Sequence, residues 1–524
     1  MFSMGKMNHQ YLPLFLATFL FLISLSQTSS NTSSHHHCLP DQKISWLSNL
    51  VSLDLSLNYF IYSVGGDYYE KLLDLRRIDL EALVQNMTYL RELHLGDVNI
   101  SSSLPQFLAN LSSLTSLTLF DCNLQGEFPP NIFLLRRIQS IDLSYNRELI
   151  GFLPKIQFRS SLKKLHLRAI NFSGEFPNSM DNLGSLNVLD LSETNLFGEL
   201  PNSISNLKYL NYLDLSYTKI SGELPSPISN LNSLNYLDLS SSNFSGTISP
   251  SIGNLSQLTH LSLSYNNFHG PIPAKIGRLS NLSYLDLSYN SFTEVIPSIL
   301  FTILSLSTLY LDQNQLIVPL KFQNNSLSPL HNLGLSENKM SESILRSIVN
   351  FTKLQGLYLS SINLKGKVEL NIFFELKELA ALDLSGNKVF VSKANINSTL
   401  PKFSYLRLSS CNLSKFPAFL KAQNELQTLD LSKNNIEVTI RILSKLECNL
   451  KGHWLRQITI KDVVLMISKA LNWCVNKYTE ILRAVTKYFI INPNNYTIFD
   501  CFPLANEKII SHGLVTIDPK LIPN

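Results

Sequence analysis

The sequence predicts an α/β solenoid, a chain wound into short equivalent turns with a parallel β-sheet along its inner, concave face. Three observations predict it. One phrase, L-x-x-L-x-L-x-x-N-x-L, returns sixteen times; its asparagine-like position falls at Asn58, Val98, Cys122, Asn146, Ile170, Thr194, Thr218, Ser242, Asn266, Asn290, Asn314, Asn338, Ile362, Asn387, Cys411 and Asn434. From Val98 to Ile362 the step is 24 residues throughout, and so strict a period marks stacked repeats that present a long surface to a partner. The leucines of each unit alternate as a strand does: Leu285 and Leu287 point inward and Asp286 between them points out.

Each element of the unit has a physical reason. A single unit cannot bury its apolar face alone, so each stacks on the next. The asparagine position ends the strand, and a buried amide there needs partners, which the backbone of neighbouring turns supplies. Cys122 and Cys411 occupy this position and read as buried ladder thiols, not disulfides. Next comes Leu-x-Gly-x-Ile/Leu-Pro, as in Leu196, Gly198, Leu200, Pro201 and in Phe268, Gly270, Ile272, Pro273. The glycine permits a tight turn and the proline sets a kink.

This extension resembles the plant-specific subclass of leucine-rich repeat. The resemblance implies a curved right-handed superhelix with a parallel concave sheet, plant-type 24-residue repeats and a second row of short strands beside the first. With strands about 4.8 Å apart, sixteen units give an arc of roughly 75 Å. Cys38-Leu-Pro-Asp-Gln-Lys resembles the opening of the N-terminal cap of plant receptor-like proteins, of which residues 31–49 keep a vestige. Asn86-Met-Thr-Tyr-Leu-Arg-Glu-Leu-His-Leu95 resembles their early repeats, after an insertion holding Gly65-Gly66-Asp67-Tyr68-Tyr69. The nearest subgroup is the pathogen-resistance type, and the resemblance runs from Cys38 to Ile440. It implies a membrane co-receptor kinase as partner, and a cell-surface location. Relative to that family, most of the cap and the membrane-spanning C-terminal part are missing from the sequence as written.

The ends read differently from the array. Met1–Ser30 has the pattern of a secretory signal: Lys6, an apolar stretch from Leu12 to Leu25, then small residues. The solenoid occupies residues 50–440. After Ile440 the repeat is gone, and from Asp462 to Phe489 apolar residues recur at helical spacing, interrupted by charges. No later stretch reaches the ~20 apolar residues of a spanning helix. The tail 441–524 reads as a divergent end or a gene-model artefact. On this reading the protein is exported, and secreted if it ends as written.

Export suits the thirteen N-x-S/T sequons: Asn31, Asn86, Asn99, Asn110, Asn171, Asn243, Asn254, Asn281, Asn324, Asn350, Asn397, Asn412 and Asn495. An Asn- and Ser-rich repeat also creates sequons by chance. Cys38, Cys448, Cys474 and Cys501 form no C-x-x-C pair, so no zinc or redox motif stands out. His35, His36 and His37 read as a solvated tail.

No phosphate loop, zinc-protease, nucleophile-elbow or kinase motif is present, and the chain reads as a binding protein with no enzyme activity, cofactor or metal. Its net charge of +4 is too mild for nucleic acid. Two columns are candidate binding residues. Before the second leucine stand Tyr212, Tyr236, His260 and Tyr284; before the ladder residue stand Tyr145, Tyr217, Tyr265 and Tyr289. Tyrosines dominate binding hot spots, although they also stabilise cross-strand packing. In later repeats the columns change to Thr308, Asn332 and Gly356, and to Glu337 and Ser361, so the aromatic surface is expected to be local. The expected ligand is an extracellular peptide, protein or glycan, in defence or development. The alternatives are a secreted inhibitor of microbial wall-degrading enzymes, or a truncated, non-signalling decoy.

Overall fold

The computed structural model describes residues 48–436, apart from 58, 62–68, 72, 76–79, 82–83, 318–327, 340–347, 363–367 and 391–399. The expected signal, the C-terminal tail and all of the cap vestige but Ser48 and Asn49 lie outside the described residues, as do Cys38, Cys448, Cys474 and Cys501. The chain divides into two compact units, Met1–Phe403 and Ser404–Asn524.

In the first unit, every L-x-L segment is a three-residue strand, and the strands pair in parallel in chain order. Representative members are Lys164–His166, Val188–Asp190, Tyr212–Asp214, Tyr236–Asp238, His260–Ser262, Tyr284–Asp286 and Thr308–Tyr310. The register repeats without slip: Tyr212 faces Tyr236, Leu213 faces Leu237, and Asp214 faces Asp238. Inward leucines such as Leu213, Leu237, Leu261 and Leu285 are fully buried, which pins the register, because a one-residue shift would expose them all. The long step from 58 to 98 contains an antiparallel pair, Tyr59–Ile61 with Tyr69–Lys71.

The expected second row of strands is present. Eight strands from Gln125–Glu127 to Ser291–Thr293 form it, one per repeat. Apart from Gly151, its glycines have positive φ; Gly222 has φ +82°, and a Cβ there would lie 2.9 Å from Glu199 Cγ. The pairing persists further only as isolated parallel bridges, Val295 with Ile317 and Ile317 with Lys339, and the last of the eight strands ends at Thr293. The next residue, Glu294, stands where earlier repeats place that glycine, and it holds φ 69°.

The helical part of the α/β fold is a layer of short turns. From Gln106 to Thr302 the described layer consists of 3-10 segments of five or six residues, such as Asn202–Asn206, Ser226–Asn230 and Ala274–Arg278, whereas Leu80, Glu81, Val84 and Ile348 are α-helical. The motif proline is the N-cap residue of these segments (Pro201, Pro225, Pro273) and does more than set a kink. About ten residues separate this proline from the next strand, which leaves room for one tight turn but not for a stable α-helix. Inside, Phe244, Phe268 and Phe292 form a parallel-ringed spine with centroids 6.3 and 6.2 Å apart.

The ladder is built as the sequence predicts. Asn266 Nδ2 donates to the carbonyls of Leu239, Leu263 and Ser264, at 2.7, 3.2 and 3.1 Å. Its Oδ1 accepts from the Phe244 amide at 2.9 Å. Cys122 is a buried thiol whose Sγ donates to the Leu95 carbonyl at 2.9 Å. In the second unit, Tyr405–Arg407 pairs in parallel with Thr428–Asp430. There Cys411 is also a buried thiol, and its amide donates to Asn434 Oδ1 at 2.9 Å.

Candidate functional site

The open face of the main sheet carries the side chains that alternate outward. Register places Tyr212, Tyr236, His260 and Tyr284 on adjacent strands at the same level. Their rings stack in one continuous row. Centroids are 4.3, 4.2 and 4.3 Å apart, with interplanar angles of 8, 8 and 6°. The juxtaposition expected from repeat arithmetic is therefore present.

Two residues further along, the three tyrosine strands carry a carboxylate and the His260 strand carries Ser262. Tyr212, Tyr236 and Tyr284 direct their hydroxyls at Asp214, Asp238 and Asp286 Oδ2, each at 3.4 Å. The other carboxylate oxygen is already engaged: Asp214 Oδ1 accepts from the Ser216 amide and hydroxyl, at 2.9 and 2.6 Å. Burial pushes the Asp214 carboxyl up to about 6 against the bonds from Ser216, and the neighbouring Asp238 and Asp190 push the same way. Burial likewise raises Asp312 to about 6. At Asp190 burial also works upward, but the bonds from His166 and Ser192 outweigh it and hold the group below its ordinary value. Burial and the facing carboxylates raise Tyr212, Tyr236 and Tyr284 well above the ordinary phenol value. Burial lowers His260 despite Asp238 and Asp286. The row is therefore uncharged at neutral pH and bordered by carboxylates.

The second column occupies special backbone. Tyr145, Tyr217, Tyr265 and Tyr289 have φ of 63, 54, 53 and 54°, and the residue before the ladder position is left-handed in repeat after repeat. This conformation turns the chain out of the strand and sends the side chain to the rim of the sheet. Tyr265 and Tyr289 stack there with centroids 3.9 Å apart. The adjacent Tyr289 hydroxyl, with burial, pushes Tyr265 up to about 12. Tyr217 is separated from this pair by Ser241. Tyr145 lies edge-on to Phe120 at 5.4 Å and under the Arg168 guanidinium at 5.7 Å.

The expectation that the aromatic surface ends at Tyr284 is corrected. Tyr284 meets Tyr310 edge-on at 6.2 Å, and Tyr310 meets Tyr358 at 6.4 Å. The track continues by moving to the aspartate column. Gly334 stands between those two tyrosines, and a Cβ there would sit 2.8 Å from the Tyr310 ring. Reading the aspartate column along the chain (Asp286, Tyr310, Gly334, Tyr358) would have revealed it.

The sequons take other positions. Asn86, Asn110, Asn171, Asn243, Asn254, Asn281 and Asn412 are exposed, and Asn99 and Asn350 half-exposed. None lies on a main-sheet strand. Asn31, Asn324, Asn397 and Asn495 lie outside the described residues. Among the described residues no group of His, Cys, Asp and Glu is arranged to hold a metal ion, and no helix is long and apolar enough to cross a membrane.

Register, ladder and outward side chains together define a leucine-rich-repeat recognition module. Comparison with known proteins agrees. Residues 237–448 match the family described as Leucine-rich repeat region, and 185–207 and 209–231 match Leucine Rich Repeat. The chain is 52% identical over 432 residues to Receptor-like protein 6 of Arabidopsis thaliana, covering 81% of this chain and 40% of that protein. It is 39% identical over 110 residues to Receptor-like protein Cf-9 of Solanum pimpinellifolium, covering 20% of this chain and 12% of that one. The chain belongs to the plant leucine-rich-repeat receptor-like proteins, and spans less than half the length of these relatives. Among solved structures, the HAESA receptor kinase ectodomain of Arabidopsis with an IDA peptide hormone ligand aligns with TM-score 0.58 and 26% identity, covering 78% of this chain and 70% of that one. The PEPR1–AtPEP1 complex gives TM-score 0.58 and 27% identity, covering 70% and 56%.

Proposed function

We propose that this chain is the extracellular ligand-recognition part of a receptor-like protein, that its open sheet face binds an extended peptide, and that a partner kinase carries the signal. The carrying observation is the stacked row Tyr212–Tyr236–His260–Tyr284 with its carboxylate border. Because the rings lie face to face, their faces are closed and only edges and hydroxyls look outward. Such a row is poorly suited to stacking sugar rings. It suits an elongated polar ligand laid across the strands. Three strand spacings are about 14 Å, which about four extended residues would cover. The HAESA ectodomain, solved in complex with an IDA peptide hormone ligand, is a supporting precedent for the fold.

The test uses the full chain secreted from plant cells, panned against a phage-displayed dodecapeptide library. Enriched peptides are expected to lose at least tenfold in affinity on a Tyr236→Ala/Tyr284→Ala double variant whose secretion is unchanged. Undiminished binding to that variant would remove the row from the site. Failure of any sequence to enrich, alongside binding to an oligosaccharide array, would replace peptide with glycan.

A further inference from the structure

The rim column contains a gap that the inner row lacks. Tyr217, Ser241, Tyr265 and Tyr289 occupy equivalent positions on consecutive repeats, with φ of 54, 53, 53 and 54°. Their backbone bonds match: the amides of Tyr217, Ser241 and Tyr265 donate to Ser240, Ser264 and Ser288 carbonyls at 2.9, 2.9 and 3.0 Å. Tyr265 and Tyr289 close on one another, but Ser241 leaves the space between Tyr217 and Tyr265 without a ring. Tyr217 is 63% and Tyr265 52% exposed, against 38% for Tyr289. The two tyrosines stand two strand spacings apart, about 9.6 Å. A flat group midway would lie about 4.8 Å from each ring, inside the ~6 Å reach of a cation–π contact.

Charge and internal precedent indicate the guest. The adjoining outward residues include Glu193, Asp214, Asp238 and Asp286, with His260 the only basic residue in the main-sheet strands from Tyr212 to Asp286, while Lys219 and His269 stand on the second row of strands, and burial keeps the His260 imidazole neutral. In the same rim column Tyr145 already receives a guanidinium: Arg168 lies over its ring at 5.7 Å, with its Nη2 2.7 Å from Glu193 Oε1. Guanidinium is planar and weakly hydrated, so it stacks on aromatic faces more readily than ammonium does.

We infer that the slot walled by Tyr217 and Tyr265 over Ser241 binds an arginine side chain of the partner peptide. This rests on the peptide-recognition reading and adds the residue type that anchors the peptide. The variants Tyr217→Ala and Tyr265→Ala each remove a wall. Ser241→Tyr fills the slot, and is compatible with the fold because tyrosine holds the same conformation in the flanking repeats.

The experiment is saturation-transfer NMR on the full glycoprotein with N-acetyl-arginine methylamide, its lysine and citrulline counterparts, and methyl β-glucoside as probes. Transfer to the arginine δ-protons is expected to exceed that to lysine and citrulline. It should fall at least threefold in Ser241→Tyr and in either alanine variant. Equal transfer in wild type and Ser241→Tyr would overturn the proposal, as would transfer to the glucoside alone. The two readings fail separately. Library peptides that depend on Tyr236 and Tyr284 but ignore Ser241→Tyr would refute the slot and leave the receptor reading. Arginine bound in the slot with no peptide enriched would refute that reading and leave the slot as an arginine site.

Discussion

From Thr194 to Ser242 the ladder position carries hydroxyls; from Asn266 to Asn338 it carries amides. Both stretches keep the same strands and the same register, yet they are tied differently. Thr218 Oγ1 donates to the Leu215 carbonyl of its own turn at 2.8 Å and meets Ser242 Oγ of the next turn at 3.2 Å, and Ser242 Oγ reaches back to the same Leu215 carbonyl at 3.1 Å. Asn290, by contrast, reaches back to Leu263 O at 2.9 Å, bonds Leu287 and Ser288 in its own turn, and accepts from the Phe268 amide at 3.0 Å. Both stretches are therefore bonded between turns, but each amide both donates to and accepts from the preceding turn, whereas the hydroxyls make fewer and longer bonds across it and rely more on apolar stacking. Half of the tyrosine–histidine row, Tyr212 and Tyr236, stands on the hydroxyl stretch, where ring stacking adds a tie on the outer side. Two neighbouring turns can evidently be joined through the core or across the face.

The contrast can be broken by substitution. The largest effect is expected from Asn266→Ala, which strands buried carbonyls and the Phe244 amide. Stability should drop by about 2–4 kcal/mol, and hydrogen exchange at Phe244 should accelerate sharply. Unchanged protection there would show that apolar stacking alone holds the amide stretch.

An intermediate effect concerns pH. Asp214 has a folded value raised to about 6, so the folded state holds its proton more tightly than the unfolded chain does. Its contribution therefore grows as pH falls from 7 toward 5, and is lost as pH rises through about 6. His260, shifted downward, acts in the opposite sense below the ordinary imidazole value. Asp214→Asn should stabilise by about 1–3 kcal/mol at pH 7 and flatten the gain on acidification in urea titrations at the two pH values. An unaltered pH slope would contradict the burial argument. The smallest effect belongs to Thr218→Val, at about 1 kcal/mol. A loss as large as that of Asn266→Ala would erase the distinction between the stretches.

Much of this molecule was readable in advance, because a period of 24 with leucines two apart converts sequence arithmetic directly into neighbour relations. That is why Tyr212, Tyr236, His260 and Tyr284 could be placed side by side, and why Cys122 and Cys411 could be read as ladder thiols. What escaped depends on geometry that residue type does not announce. Tyrosine, glutamate and serine hold the left-handed position, where glycine or asparagine is the usual sign, and only Gly386 occupies it in the expected way. The proline looked like a kink, because its role as the N-cap residue of a 3-10 turn emerges only when the following segment proves too short for an α-helix. The aromatic track beyond Tyr284 was missed because it changes column at Tyr310. The second row gives way from strands to isolated bridges where Glu294 replaces glycine, a single-residue change inside an otherwise regular repeat.

The left-handed residue in each repeat has an evolutionary consequence. At Asp97, Asp121, Tyr145, Ala169, Glu193, Tyr217, Ser241, Tyr265, Tyr289, Gln313, Glu337 and Ser361 the backbone conformation is the same while the side chain is acidic, aromatic, small or amide. β-branched residues, which tolerate that conformation least, are absent from this set. Core packing and ladder are fixed by other positions. A single codon change in this column can therefore rewrite the rim chemistry at little cost to folding, whereas a change in the inner row would also disturb a stack of four rings. Natural variation among close relatives should accumulate at the rim first, which makes that edge the part of the molecule best able to follow a changing ligand.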